Sequence, residues 1–413
     1  MKQIMAVVLA IVLAIGVGSV ASAEKAVELE LWLAGNETNI YDAYTAAANA
    51  YMADHPNVKI NITMIAWSEY FTKLSASFVG GMGPDVYAIG FLQYYSLLGN
   101  RNMLALNDYI PADWDGYSDI SGNILELGKA DSNYYAFLVP EGRALYYRKD
   151  IAVENGVTEE DLNVTDLDSF ENLCRKMTIK DGNETIVSGF ELSTLAGSNP
   201  EQQLFVLARM LDAETFWYDD LKPRFNEQPY TETLKRMKAL VDDGTVLLQT
   251  SGINYFNTDV AAMTISAQNG IENLSIPALE GIGGSIGIIT MPNVLLGQWY
   301  AANADTAHPA EAADFLLYLN SVKGEQTLLD IGNLVPNRIS MKDAYCAGNE
   351  LRQAYYESLM TEAKAYGNVP NVYFLTWANA CRSAIEAVYA GTKDAKTAMD
   401  EFCVKYNEVC GLK

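Results

Sequence analysis

Residues 67–93 read WSEYFTKLSASFVGGMGPDVYAIGFLQ. Phe71, Leu74 and Phe78 recur at helical spacing and mark one apolar face. Gly80, Gly81 and Gly83 supply the backbone freedom of a turn around Pro84. Asp85-Val86-Tyr87-Ala88-Ile89 then reads as a mostly apolar strand. Helix, turn and buried strand in this order suit an open α/β sheet, and such sheets bind ligands beyond the carboxyl ends of their strands. The residues after Ile89 are therefore site candidates on topology alone.

Upstream, Val27, Leu29, Leu31 and Leu33 alternate with Glu28, Glu30 and Trp32 and predict a strand. Tyr41, Tyr44, Ala48, Tyr51 and Met52 follow at helical spacing and stop before His55-Pro56; Val58, Ile60, Ile62 and Met64 alternate again. The whole is β-α-β-α-β, the pattern of a doubly wound parallel sheet. Downstream, residues 88–131 read as loop-rich. Tyr134–Val139 and Ala144–Tyr147 are apolar runs around Pro140-Glu141-Gly142, a crossing between two lobes. Helices are expected over Glu201–Ala213, Thr231–Asp242 and Pro309–Asn320, the last with proline in its first turn. Ser285–Thr290 and Trp299–Ala302 read as short strands near a second crossing, and Leu334-Val335-Pro336 as a third. The expected fold is α/β with two lobes and a ligand cleft between them. Residues 24–140 with 300–335 form the first lobe, and 141–299 with 336–413 the second.

The chain opens with Met1-Lys2, an apolar run from Ile4 to Val17, and Val20-Ala21-Ser22-Ala23. This is a signal peptide cut after Ala23, too short for a good membrane anchor. No cysteine stands at the cut, so lipid attachment there is not available. Beyond it, 27 basic face 52 acidic residues, a balance that repels nucleic acid and anionic membranes. The two histidines, His55 and His308, both precede proline in apparent loops, which leaves a Ser-His-Asp triad hard to build. Gly283-Gly284-Ser285-Ile286-Gly287 matches G-x-S-x-G, but a strand follows where a nucleophile elbow needs a helix. There is no P-loop, zinc-protease motif or EF-hand loop, so no cofactor and no metal is called for. The five cysteines read as structural. Cys403 and Cys410 would stand about 10 Å apart on a continuous helix, too far to bridge. One pairing between neighbouring carboxy-terminal helices stays open.

In several places, in order, the chain resembles the extracellular solute-binding proteins of sugar ABC transporters, the maltose-binding-protein-like group. The resemblance rests on Leu31-Trp32-Leu33-Ala34-Gly35-Asn36, on Lys73-Leu74 through Gly83-Pro84-Asp85-Val86, and on Ala144-Leu145-Tyr146-Tyr147-Arg148-Lys149-Asp150. It continues with Ala261-Ala262-Met263-Thr264-Ile265, Glu311–Leu316 and Gly332-Asn333-Leu334-Val335-Pro336-Asn337-Arg338. It implies two lobes that close on a ligand by hinge motion, the closed form docking on a membrane permease.

The resemblance also implies site residues. Asn36 and Glu37 follow the first strand, where relatives bond sugar hydroxyls. Trp67 either stacks on a sugar ring or packs on the lobe surface. Phe91 and Gln93 stand where relatives carry a binding loop, without the charged pair of the maltose binders. Glu141 lies in the first crossing, where the family often has an acid. Arg143 either pairs with Glu141 or binds a ligand carboxylate and favours a uronic acid. Gln268 and Asn269 replace an aromatic residue of the maltose binders. Trp299 stands at the second crossing, and Trp377 near the family's late stacking tryptophan. An aromatic face carries negative potential and suits the C–H face of a sugar.

The implied function is the non-catalytic binding component of an ABC importer. It is a periplasmic or secreted monomer whose partners are a mono- or oligosaccharide and the permease subunits. A non-sugar solute such as a polyamine or glycerol phosphodiester is the alternative, although only Arg143 and Arg338 stand near the cleft to hold an anion. A secreted glycan hydrolase or lyase would need a carboxylate pair that no spacing singles out.

Overall fold

The computed structural model describes residues 25–194, 200–249, 255–268, 271, 286–291, 293–361, 363–367 and 371–413, without the side chains of Phe91, Leu92 and Thr361. The signal peptide, Ser285 of the G-x-S-x-G match and Asn269 lie outside the described residues.

The amino-terminal pattern folds as its periodicity dictates. Strands β1 (Val27–Ala34), β2 (Val58–Ile65) and β3 (Val86–Gly90) run parallel in the order β2-β1-β3, with Leu31 between Ile62 and Val86. Helix α1 (Thr38–Asp54) buries Ile40, Ala43, Tyr44, Ala47, Ala48 and Tyr51, one stripe at intervals of three and four. Helix α2 (Trp67–Val79) leads into β3, and helix α3 (Phe91–Gly99) leaves it directly. The stretch expected to be loop-rich therefore opens with a helix. Phe91, Tyr94, Tyr95 and Leu98 have the spacing of one helical face, and Tyr94 and Tyr95 are buried.

Only Gly142 and Arg143 separate β4 (Ala136–Glu141) from β5 (Ala144–Arg148). After β5 come β6 (Phe190–Ser193), helix α4 (Pro200–Ala208) and β7 (Val246–Gln249), which pairs with β6 in parallel. Strands β8 (Met263–Ser266) and β9 (Ile286–Ile289) flank β5 antiparallel, with Tyr146 between Thr264 and Ile288. Ser188 ties the two groups together: its N–H donates to Val260 O at 2.9 Å, and its carbonyl accepts from Ala262 N at 2.8 Å. The chain then returns as β10 (Leu296–Ala302), inserted between β3 and β4 and antiparallel to both. All of residues 296–302 sits in the first sheet, so the boundary expected between 299 and 300 falls inside a strand. Trp299–Ala302, expected beside the second crossing, therefore belongs wholly to the first sheet.

The second lobe is closed by a buried aromatic core. Phe216 stands 4.5 Å from Phe225 and 4.8 Å from Tyr366, and Trp217 stands 4.7 Å from Phe374. Just past Leu334-Val335-Pro336, the expected third crossing, Arg338 is fully buried. Its Nε donates to Asn320 O at 2.6 Å, and its Nη2 and Nη1 reach Asp115 and Asp119 at 2.7 and 3.0 Å. It clamps the chain and is no cleft cation. All five cysteines are free thiols, and the continuous helix Ala395–Val409 separates Cys403 from Cys410. No described helix is long and apolar enough to cross a membrane.

Candidate ligand cleft

The first rim stands at the carboxyl ends of β1 and β3. Past β1, Gly35 turns the chain at φ 132°, and the exposed Asn36 and Glu37 follow. The Glu37 carboxylate accepts the Asn36 N–H at 2.8 Å. Trp67 opens α2 with 36% of its surface exposed, its ring 5.6 Å from Phe71 and 6.1 Å from Tyr70. At the end of β3, Gly90 leaves space that a side chain would fill. A Cβ there would stand 2.7 Å from Gln93 Oε1, 3.1 Å from Phe71 and 3.6 Å from the Trp67 ring. Glu37, Trp67 and Gln93 thus converge around Gly35 and Gly90, with Asn36 next to Gly35 in the chain and Phe71 backing the indole. Phe91 is the first residue of α3, so its backbone adjoins this group.

The second group forms at the β4–β5 crossing. Gly142 N donates to the Tyr355 hydroxyl at 2.6 Å, and Arg143 N donates to Asn293 Oδ1 at 2.6 Å. The Arg143 guanidinium pairs with Glu141 and also donates to Gly142 O at 2.8 Å and Gln202 Oε1 at 3.0 Å. Burial opposes its charge, but the Glu141 carboxylate outweighs burial and holds the guanidinium above its ordinary pKa. Arg143 is therefore committed to protein acceptors, which removes the reason to expect a uronic acid. Glu141 keeps 30% of its side chain exposed. Behind it, Gln298, Tyr300 and Tyr44 help to line a cavity of about 30 Å³, room for one water.

Next to Gln202 in the chain stands Glu201, the second residue of α4. It is buried, and its Oε1 has no hydrogen-bond partner among the described residues. Burial pushes its carboxyl up to about 7 against the pull of its own backbone N–H and of Arg143.

Three further expected residues are buried, although the Gln268 backbone reaches Tyr355 of the second group. Gln268 is buried and accepts the Tyr146 hydroxyl at 2.8 Å. Trp299 is fully buried in β10 and stacked 4.4 Å from Tyr94. Trp377 is fully buried 5.2 Å from Phe374 and 5.5 Å from Trp217. Both indoles face protein, because Trp377 shares the core stripe of its helix with Phe374, Ala378 and Cys381. Sequence reasoning missed Gln202, Glu201, Asn293 and Tyr355. Gln202, Asn293 and Tyr355 reach residues 142–143 from 59, 150 and 213 positions away, and no local motif encodes such a meeting. The one available signal is the polar start of α4, Glu201-Gln202-Gln203 ahead of an apolar run.

An exposed indole among amide and carboxylate groups, with no free cation facing it among the described residues, suits an uncharged ligand rich in hydroxyls. A family model described as bacterial extracellular solute-binding protein matches residues 46–351. The chain belongs to that family. Its fold matches an ABC substrate-binding protein from Listeria monocytogenes in complex with cycloalternan, with TM-score 0.78, 16% identity, and coverage of 94% of this chain and 100% of that one. It also matches the GacH receptor of Streptomyces glaucescens, solved unliganded and with acarbose, at TM-score 0.78 and 18% identity over 93% and 98% of the two chains. The sugar-binding protein MalE from Xanthomonas citri matches at TM-score 0.78 and 16% identity over 92% and 97%. No functionally curated protein matches. This solute-binding protein therefore has the two-lobe architecture of a family of extracellular binders.

Proposed function

We propose that this protein captures a carbohydrate between its lobes and delivers it, as a monomer outside the cytoplasmic membrane, to the permease of an ABC importer. The observation that carries this reading is the Trp67 indole, exposed and backed by Phe71, with Glu37 and Gln93 around it and Asn36 next to Glu37. One face stacks on a sugar while amides and a carboxylate bond its hydroxyls. Structural relatives solved with cycloalternan, acarbose or laminaribiose support a neutral glycan. Glu141, held by Arg143, meets the same ligand from the crossing as the lobes rotate about residues 141–143 and 335–336.

Thermal melting of the mature protein against a panel of neutral, uronic and amino saccharides, with polyamines and glycerol phosphodiesters as controls, tests this. A ligand at a hundredfold excess over its dissociation constant adds about 2.7 kcal/mol of stability. A saturable shift with a neutral saccharide is expected. A shift with a control solute alone would discard the carbohydrate assignment.

A further inference from the structure

We propose that Glu201 is a positioning residue for capture: as a neutral acid it leaves Arg143 committed to Glu141 and Gln202, and as a carboxylate it draws Arg143 away, so that glycan binding is coupled to a proton. This rests on the carbohydrate reading above.

The Arg143 guanidinium is paired with Glu141 and held by Gln202, and the buried Glu201 precedes Gln202 by one residue within reach of the Arg143 charge. Arg143 uses Nη1 for Glu141 and Gly142 O, and Nη2 for Gln202. Glu141 keeps part of its surface free, whereas Glu201 is 3% exposed with an unpartnered oxygen. The titratable groups that face Glu201 come from three segments. They are Arg143, beside Glu141, from the crossing; Tyr366 from the segment before helix Phe374–Tyr389; and Cys381 from that helix. Burial, and after it the Glu201 charge, pushes both the Tyr366 phenol and the Cys381 thiol well up, so both stay neutral. Arg143 is then the one cation facing Glu201 among the described residues. A buried carboxylate without a partner is costly. Ionised Glu201 therefore competes for Arg143, and Gln202 and Glu141 lose the donor that fixes them. Burial brings this change close to neutral pH, where an ordinary glutamate would already be charged.

Calorimetric titration of the intact protein at pH 6, 7 and 8 tests this, using whichever of maltotriose, mannobiose and laminaribiose binds most tightly. The affinity is expected to fall about tenfold by pH 8, as the competent fraction shrinks. At pH 8, buffers of different ionisation enthalpy should report an uptake of about one proton on binding. Glu201→Gln, a permanent mimic of the neutral acid, should hold the pH 6 affinity throughout with no uptake. Glu325→Gln, which removes the other carboxyl titrating above pH 6, should keep the wild-type fall. A flat wild-type profile, or a fall that survives Glu201→Gln, overturns the proposal while leaving the carbohydrate reading intact. Should Glu201→Gln not fold, wild-type proton uptake decides alone: none overturns it. Failure of all three saccharides at every pH overturns both readings.

Discussion

Trp67, Trp299 and Trp377 are the same residue type in three different environments, and the difference predicts three phenotypes. Trp67 opens a helix just past a strand, where its ring packs on Phe71 and stays partly exposed. Removing it deletes a stacking face but little core. Trp67→Ala is expected to weaken saccharide binding tenfold or more, about 1.4 kcal/mol, with an unchanged melting temperature. Trp377 is surrounded by Phe374, Trp217 and Phe225, so Trp377→Ala leaves a cavity and should cost about 3–5 kcal/mol of stability. Trp299→Ala should resemble it, because the Tyr94 stack is lost. Urea unfolding beside calorimetric titration separates the classes. Loss of binding by Trp377→Ala at full stability would return that indole to the cleft.

At the scale of elements, β10 ties β3 to β4 inside the first sheet, and Gly297 is a tightly constrained residue of it. Its φ of 139° lies where side chains are strained, and an added Cβ would run into the Val139 carbonyl on β4. Gly297→Ala should therefore destabilise by at least about 1–3 kcal/mol in urea unfolding. A stability equal to wild type would show that the β4–β10 ladder can shift. The same elements show what a sequence encodes locally. The first β-α-β-α-β run was legible because each strand alternates and each helix carries one apolar stripe. Asn36, Glu37, Trp67 and Gln93 were legible for the same reason, since they lie at the ends of those elements. Helix α3 was obscured by its aromatic content, which reads as loop although its spacing is helical. The insertion of β10 between β3 and β4, and the convergence on Arg143 of Asn293, Gln202 and Tyr355, depend on contacts far apart in the chain. Periodicity does not report these. Trp299 and Trp377 were placed by resemblance, which transfers a position along the chain but not the direction of a side chain.

For the whole molecule, the balance of titrating groups sets where the fold is most stable. Burial pushes Glu201 up to about 7 and Glu325 up to about 8, in each case against hydrogen bonds and a nearby arginine. Both bind a proton more tightly folded than unfolded. Their contribution is full below the unfolded value of about 4.3 and is lost as pH rises through the folded values. The aspartates act in the opposite sense. Lys176 holds Asp161 at about 2, and Arg338 holds Asp115 below its usual range. What these two contribute is present above about pH 4 and is lost only as the pH falls further. The net charge of −24 at pH 7 adds self-repulsion as the carboxylates ionise, in the same direction as the two buried glutamates. Maximum stability is therefore expected near pH 5, with a melting temperature that falls steadily to pH 8. Surface repulsion and buried carboxyls are separable, because Glu201→Gln with Glu325→Gln removes only the second. The double variant should show a clearly shallower decline across pH 5–8 in scanning fluorimetry. If its slope equals that of the wild type, the decline belongs to the surface charge, and neither glutamate carries its proton in the folded protein at neutral pH.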